Sequence, residues 1–240
     1  MIAILTSAAL VLTPAAADPL APLKQSPLYK VGKLSAPCAK KLPKKGTSRA
    51  STEKYVTALV ACLNDAWQPK IEKNSFPDAD LVWDEVSVKF TDDALVGEGK
   101  SKDSMAVYYF RQLSVQLEND WIKAKTDHAL LREVTLAYSR HPVVLSGLAE
   151  HYDRLPDYEI PRFVMTTGCL GATFLKSVWT TQKRTAKEWK TLVAGVATDE
   201  LGKTGWLGKK KNREYWLNAG FKTGDPRSCN TWRAPDSRVK

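Results

Sequence analysis

The sequence predicts an α+β fold, mostly helical with a small sheet, in one domain over residues 47–240. Apolar residues recur at helical spacing in several segments of the second half of the chain, whereas two short segments before them are rich in valine and aromatic residues, which is typical of strands. A few strands followed by several helices favour the α+β class. With 240 residues, 43% of them hydrophobic, the chain is long enough to bury a single core.

The elements can be placed along the chain. The first helix is predicted to begin at Ser51-Thr52-Glu53 and to end near Pro69, since proline lacks the N–H that a helix interior uses. Strands are predicted within Leu81–Phe90 and at Ala106–Phe110. Further helices are predicted from Asp127 onward with a kink or new start at Pro142, over Pro161–Trp179, over Ala186–Glu200, and over Asn212–Ala219 with Gly220 as the C-cap. The tail, Thr223–Lys240, reads as a loop.

Residues 1–17 have the character of a secretory signal peptide. They are uncharged and dominated by Ala, Leu, Ile and Val, and they end in Ala15–Ala17 before Asp18. The positively charged start of a typical signal is missing, which leaves open a start further upstream. An uncleaved membrane anchor is the main alternative to a cleaved signal. The apolar run is interrupted by Pro14 and is shorter than the ~20 residues of a spanning helix. We therefore expect cleavage, a secreted or extracytoplasmic location, and no transmembrane segment after cleavage.

Four cysteines, Cys38, Cys62, Cys169 and Cys229, predict two disulfides in a chain directed to an oxidising compartment. No pair has the C-x2-C spacing of a zinc site. Three pairings are open, of which Cys38 with Cys62 and Cys169 with Cys229 close the shortest loops. Each such bridge would contribute about 3 to 4 kcal/mol by restricting the unfolded chain. A bridge between Cys38 and Cys62 would tie a Pro- and Lys-rich lead-in, residues 18–46, to the first helix.

The net charge of +10 and the pI near 9.4 suit an anionic partner such as a cell-envelope polymer. The densest basic runs are Lys40 to Lys45 and Lys209 to Arg213, and both are predicted to be solvated loops or helix starts. A nucleic-acid partner is not predicted, because neither run is interleaved with aromatic residues on one face or belongs to a recognisable module.

Three blocks of sequence resemble secreted bacterial proteins of the neutral zinc metallopeptidase family. They follow one another in the family's order and span most of the chain after residue 17: Leu28–Leu34 with Cys38 and Cys62–Pro69, then Arg162 with Cys169–Gly171, then Tyr215–Trp216, Gly220–Pro226 and Cys229–Trp232. The resemblance implies a zincin-like metallopeptidase scaffold.

The resemblance also implies where an active site should be, and there the sequence departs from the family. Family members carry H-E-x-x-H on a helix, because two histidines one turn apart can both reach a zinc ion while the glutamate acts as general base. Here Tyr138 and Pro142 stand at the histidine positions and Ser139 at the glutamate position. Val164 stands at a later acidic position. The zinc ligands of the family are therefore absent from this stretch, and no catalytic residue is predicted.

These departures predict a non-catalytic pseudoenzyme that keeps the groove and binds a peptide, a wall polymer or another exported protein. Ser139 is not predicted to be a nucleophile, although His141 lies two residues away, because neighbouring side chains of a helix diverge. Tryptophans at helical or strand spacing are predicted to lie in the core, whereas Tyr108 and Tyr109 fit either a core or a ligand site. Those tryptophans are Trp67, Trp83, Trp179, Trp189, Trp206, Trp216 and Trp232.

Two other functions stay open. An active zinc-dependent peptidase with a non-standard site would draw on the remaining histidines and on acids near them: His128, His141, His151, Asp127, Glu133 and Glu150. No two of the histidines are four residues apart, so no helix turn pairs them, and Asp127 is more simply the N-cap of the helix that follows it. The third function is a basic protein that binds an anionic surface electrostatically.

Overall fold

The computed structural model describes residues 18, 20–74, 76, 85–95, 103–154, 156, 159–196 and 207–239. The fold is α+β, mostly helical, with a three-stranded sheet and two disulfides. In the described part the elements are α1 Ala21–Gln25, α2 Arg49–Lys73, β1 Ser87–Thr91, β2 Met105–Tyr109, β3 Gln112–Gln116, α3 Asn119–Ile122, α4 His128–Tyr138, α5 Arg140–Leu145, α6 Ile160–Gln182, α7 Ala186–Val196 and α8 Lys210–Thr223. Short 3₁₀ turns connect them at Pro27–Lys30, Pro37–Lys41, Ala149–Arg154, Pro226–Cys229, Thr231–Arg233 and Asp236–Arg238.

Helix α2 is longer than the sequence predicted. Ser48 caps its start, where the Ser48 side chain accepts the Ser51 backbone N–H and the Ser51 side chain accepts the Ser48 N–H in return. The predicted end at Pro69 is wrong, because the helix continues to Lys73. Proline removes the bond to the carbonyl of Asp65, but Asp65 is exposed, so water can satisfy that carbonyl. Burial of Ile71 on the far side of the proline stabilises the last turn.

The sheet has the order β1-β3-β2, with β1 parallel and β2 antiparallel to β3. The prediction found β2 and the part of β1 that is described, while residues 81–84 lie outside the described chain. Sequence reasoning missed β3. Its alternating pattern, in which Leu113 and Val115 are fully buried, is short, and the two residues before it carry no glycine or asparagine turn signal.

Helix α6 lies at the centre and packs closely on α8 and α4. A Cβ atom at Gly220 of α8 would lie 2.2 Å from the Cys169 carbonyl oxygen, and one at Gly171 of α6 would lie 3.0 Å from Leu136 of α4. Glycine is therefore needed at Gly220, where the nearest atom belongs to the backbone, whereas at Gly171 the Leu136 side chain would have to shift slightly. The predicted C-cap at Gly220 is wrong: α8 runs through it, and the left-handed cap is Gly224, with φ +64°.

The two disulfides join Cys38 to Cys62 and Cys169 to Cys229, the pairing with the shortest loops. The first ties the lead-in to α2, as predicted. The lead-in is also part of the core, since Leu28 and other apolar side chains in it are buried, and the Leu34 N–H donates to the Gly224 carbonyl 2.9 Å away. Both disulfides suit an oxidising compartment. No helix in the described ranges has the length and apolarity needed to cross a membrane.

The N-terminus of α4 is held by a polar network rather than by a capping side chain. Asp127 occupies the N-cap position, as predicted, but its side chain makes no cap bond. Its carboxylate instead pairs with both Nη atoms of Arg184 and accepts the Tyr55 hydroxyl at 2.6 Å. The Arg184 guanidinium and that hydroxyl keep the pKa of Asp127 below its usual value despite burial, which alone would raise it. The network joins α2, α4 and the segment before α7.

The basic runs Lys40 to Lys45 and Lys209 to Arg213 were predicted to be solvated, and in each run one basic residue is not exposed. Lys45 is half-buried and donates to the backbone carbonyls of Ala124 at 2.9 Å and Gly46 at 3.0 Å. Arg213 is buried in α8, whereas Lys209 to Lys211 are exposed around the start of that helix, as predicted.

Candidate functional site

The residue at the first predicted histidine position is part of the core. Tyr138 ends α4, is fully buried, and donates its hydroxyl to Asn64 Oδ1 at 2.9 Å. Asn64 in turn bonds both the N–H and the carbonyl of Val86, each at 3.2 Å. Burial raises the pKa of Tyr138 well above its usual value, so it stays a neutral phenol. Tyr138 therefore joins α4 to α2 and to the segment that enters β1.

Ser139 and Pro142 likewise belong to the framework of the fold. Ser139 is fully buried and its Oγ donates to the Thr135 carbonyl at 2.7 Å. It lies at the junction where α4 ends and α5 begins, so Tyr138 and Pro142 do not share one uninterrupted helix. The predicted kink or new start near Pro142 is confirmed, because α5 contains Pro142 in its first turn.

Val164 lies on a different helix from the other three positions. Helix α6 meets the junction at Gly171, where an added Cβ would lie 3.1 Å from Ser139 Oγ. Val164, half-buried, is two helical turns earlier on α6, a displacement of about 10 Å along the axis. Of the four positions, Tyr138, Ser139 and Pro142 lie in the α4–α5 segment, and Val164 lies on α6. Proline and valine have no metal-binding atom and the tyrosine hydroxyl is committed to Asn64, so these residues do not fit a zinc ion.

The three histidines occupy separate places. His128 Nε2 lies 3.6 Å from Glu188 of α7, and His141 Nδ1 lies 2.8 Å from the Tyr108 hydroxyl. His151 lines a groove of about 310 Å³ with Ser26 and other residues. The acids proposed beside them are dispersed as well: Asp127 pairs with Arg184, Glu133 with Arg132, and Glu150 lines the His151 groove. In the described ranges no three His, Cys, Asp or Glu side chains form a group that could hold a metal ion.

His141 of α5 supports the β2–β3 hairpin from the protein interior, through a hydrogen bond to Tyr108. The Tyr108 hydroxyl accepts the Arg111 N–H at 3.3 Å and lies 2.8 Å from His141 Nδ1. The hydroxyl has one proton and two acceptor lone pairs, so the imidazole tautomer sets which of the two groups donates. Burial, reinforced by the charge of Arg111, lowers the pKa of His141 to about 4, so the ring is neutral at pH 7.

The tip of this hairpin exposes two aromatic side chains. Tyr109 and Phe110 are 70% and 80% exposed, and their rings meet edge to face with centroids 4.5 Å apart. Phe110 and Arg111 form the two-residue loop with φ of 41° and 60°, the left-handed conformation of a type I′ turn. For side chains other than glycine this conformation costs about 1 kcal/mol per residue. Tyr109, Phe110 and Arg111 are called the aromatic tip below.

A shallow cleft of about 510 Å³ lies beside the aromatic tip. Phe110 and Arg111 line it together with Glu85, Ser87 and Gln112. It therefore offers one positive and one negative side chain next to an exposed ring. In the described part of the sheet β1 and β2 are the edge strands, each hydrogen-bonded to β3 alone.

The predicted tryptophan positions lie in the core wherever they are described. Trp67, Trp179, Trp189, Trp216 and Trp232 are all at most 7% exposed, while Trp83 and Trp206 lie outside the described residues. The sequence left open whether Tyr108 and Tyr109 lie in the core or in a ligand site. Because neighbouring strand residues face opposite sides of a sheet, Tyr108 is buried against His141 and Tyr109 faces solvent. The run Tyr109-Phe110 before an alternating segment was the one signal that could have located the tip.

The fold and these contacts define a class: a disulfide-bonded α+β protein with an aromatic hairpin tip beside a cleft. No protein-family model, curated protein or solved structure matches the chain. The resemblance to neutral zinc metallopeptidases, and the zincin-like scaffold with it, stays a prediction.

Proposed function

We propose that this protein is an exported, non-catalytic binding protein that holds an extended segment of a peptide or protein partner against the aromatic tip. The observation that carries the proposal is the aromatic tip itself, which exposes the ring of Tyr109 at the end of β2 and the ring of Phe110 in the strained turn. The buried Tyr108, hydrogen-bonded to His141, supports this turn from the protein interior. Backbone strain of this kind persists where the surrounding structure imposes it, and it is frequent at binding sites.

The proposal that the protein does not cut its partner rests on the environment of the degenerate positions. Tyr138 and Ser139 are fully buried and spend their hydroxyl protons on Asn64 and on a backbone carbonyl. A general base or nucleophile must reach the reacting group of the substrate, and neither side chain is accessible. His141 is likewise buried, against Tyr108.

The surroundings of the aromatic tip favour a peptide over a small apolar molecule. Large aromatic side chains that become buried at an interface each contribute about 2 kcal/mol or more as binding hot spots. The adjoining cleft adds Arg111 and Glu85, which can pair with charged side chains or backbone groups of an extended chain. The cleft is shallow and open to solvent at the start of β1 and β3, where Ser87 and Gln112 line it, and an extended segment can enter it without closure of a loop.

Binding can be tested on an array of random heptapeptides probed with the purified protein. The double variant Tyr109→Ala with Phe110→Ala should lose at least about tenfold in affinity for the peptides that bind wild type. Tyr215→Ala on α8, where the tyrosine is 43% exposed, is the matched control and should bind as wild type does. Equal affinity of the double variant and wild type would refute the role of the aromatic tip.

Catalysis is tested separately, by metal analysis and by a proteolysis assay on the same purified protein. We expect no hydrolysis of an unstructured protein substrate. Stoichiometric tightly bound zinc together with chelator-sensitive proteolysis would overturn the non-catalytic part of the proposal. If that activity disappeared in His141→Ala, it would assign the activity to the non-standard site.

Export is tested by N-terminal sequencing of the protein recovered from outside the cytoplasm. Cleavage after Ala17 gives a chain that begins at Asp18. A chain retained in the membrane with residues 1–17 attached would instead establish the anchor alternative.

A further inference from the structure

A second site lies on another part of the molecule, where the two ends of the described chain meet. A pocket of about 440 Å³ is lined by residues from the α1 region and from the C-terminal 3₁₀ turns: Lys24, Gln25, Ser26, Tyr29, Lys30, Arg227, Asn230 and Arg233. Four of the eight are cations and none is an acid. These eight residues are called the basic pocket.

The four cations of the basic pocket all line one cavity. A roughly spherical cavity of this volume is about 9 to 10 Å across, similar to the screening length at physiological ionic strength. Their mutual repulsion is therefore only partly screened, and an anion between them relieves it. Lys30, Arg227 and Arg233 are exposed and reach the solvent side of the cavity, while Lys24 is half-buried.

Of the four cations, one is paired with a nearby acid. Asp18 pairs with Lys24 at 2.7 Å, and the Asp225 carboxylate accepts the backbone N–H of Arg227 at 2.9 Å. Lys30, Arg227 and Arg233 have no carboxylate partner in the portion of the chain that the structure describes. Three positive charges are thus available to a ligand.

The basic pocket is built on a fixed frame. The Lys24 carbonyl accepts two bonds from the C-terminal segment, from Asn230 Nδ2 at 2.9 Å and from Arg233 Nε at 3.2 Å. Tyr29 is buried beneath, and the Cys169–Cys229 disulfide holds the C-terminal turns to α6. Because the backbone on both sides is tied together, the segments that carry the cations are in place before a ligand arrives, which lowers the entropy cost of binding.

We propose that the basic pocket binds the phosphate group of a phosphorylated ligand. Arginine presents a planar fork that suits phosphate oxygens, and lysine adds a compact charge. The volume exceeds that of a lone phosphate and accommodates the group esterified to it. The phosphate ester is either a soluble molecule or the headgroup of a lipid. This site is independent of the proposed peptide binding at the aromatic tip, so each can fail without the other.

The test is calorimetric titration of the full mature chain with glycerol phosphate at low salt, with glycerol as the uncharged control. The pocket variant is Lys30→Gln with Arg227→Gln, two exposed residues whose side chains make no described hydrogen bond. The matched control is Lys209→Gln with Lys210→Gln, which removes the same charge from another exposed surface. We expect saturable binding that weakens at least about tenfold in the pocket variant and less than about twofold in the control.

Vesicles with and without phosphatidylglycerol, titrated in parallel, identify the source of the phosphate. Binding of glycerol phosphate that depends on the pocket supports a soluble ester, and binding to the anionic vesicles alone with the same dependence supports a headgroup. Equal losses in the two variants would show a general effect of net charge and overturn the proposal. Absence of saturable binding to both probes by wild type would overturn it as well.

Discussion

Acidification from pH 7 to pH 4.5 should destabilise the protein through His141. The imidazole is neutral and buried beneath the hairpin, between the hydroxyl of Tyr108 and the ring of Tyr138, whose centroid lies 5.7 Å away. Burial and the nearby charge of Arg111 lower its pKa from 6.5 to about 4. Between those two values the unfolded chain binds a proton that the folded protein does not, so the free energy of unfolding must fall as the pH falls.

The magnitude follows from the two pKa values. Each pH unit over which only the unfolded chain is protonated removes about 1.4 kcal/mol of stability. The full loss is about 3 kcal/mol once the pH is below the folded pKa of His141, and about 2 kcal/mol of it falls between pH 7 and pH 4.5. Asp127, whose pKa is lowered, contributes stability that is lost only as the pH falls below its unfolded value of 3.8, outside this window.

The assay is urea unfolding of wild type and His141→Asn at pH 7 and pH 4.5, with both disulfides intact. Asparagine offers an acceptor to the Tyr108 hydroxyl but has no proton to gain, so its smaller volume lowers stability equally at both pH values. We expect the loss between the two pH values to be about 2 kcal/mol smaller in the variant. An equal loss in both proteins would refute the assignment to His141.

Three further predictions concern the helical core. Gly220→Ala should lower the free energy of unfolding by about 3 kcal/mol, because the new methyl group would overlap the Cys169 carbonyl. The control Gly168→Ala, whose new Cβ would have its nearest neighbour 3.9 Å away, should stabilise α6 by about 0.5 to 1 kcal/mol. Equal effects of the two variants in thermal or urea unfolding would contradict the close approach of α6 and α8. Asp127→Asn should cost about 3 kcal/mol by unfolding, since it leaves a mostly buried guanidinium without its carboxylate, and a cost below about 0.5 kcal/mol, as for an exposed pair, would contradict the network. Replacing both Cys169 and Cys229 by alanine should cost about 4 kcal/mol for a bridge that spans 60 residues, measured against wild type under oxidising conditions; an unchanged unfolding midpoint would show that the bridge is not formed.

Much of the helical framework was predictable because it depends on local pattern. The apolar stripe of α4, the start of a new helix around Pro142 and the extent of α6 follow from helical periodicity and from the backbone chemistry of proline. Errors occurred where a tertiary contact overrides a local preference. Pro69 does not end α2, because burial of Ile71 stabilises the turn after it. Gly220 does not end α8 either: a glycine is needed there because α8 contacts the Cys169 carbonyl, and the helix continues to Thr223.

The candidate sites were less accessible to sequence reasoning. Tyr138, Ser139 and Pro142 lie within five residues of each other, but their burial could not be predicted from that spacing. The hydrogen bonds of Tyr138 to Asn64 and of Ser139 to Thr135 could not be predicted from it either. The aromatic tip depends on the strand β3, which the sequence did not reveal. Its turn uses Phe110 and Arg111 where glycine or asparagine is usual, so the standard signal for a hairpin was absent.

The sequence by itself determined the class of fold, the helical segments, the even number of cysteines and the excess of positive charge. Only the tertiary structure decided which cations gather: Lys24 and Lys30 are about 200 residues from Arg227 and Arg233, yet the four line one pocket. It also decided that His141 supports a hairpin through Tyr108, 33 residues earlier. Periodicity and composition indicate which residues of each segment are buried, whereas contacts between side chains that are distant in sequence depend on how the segments pack.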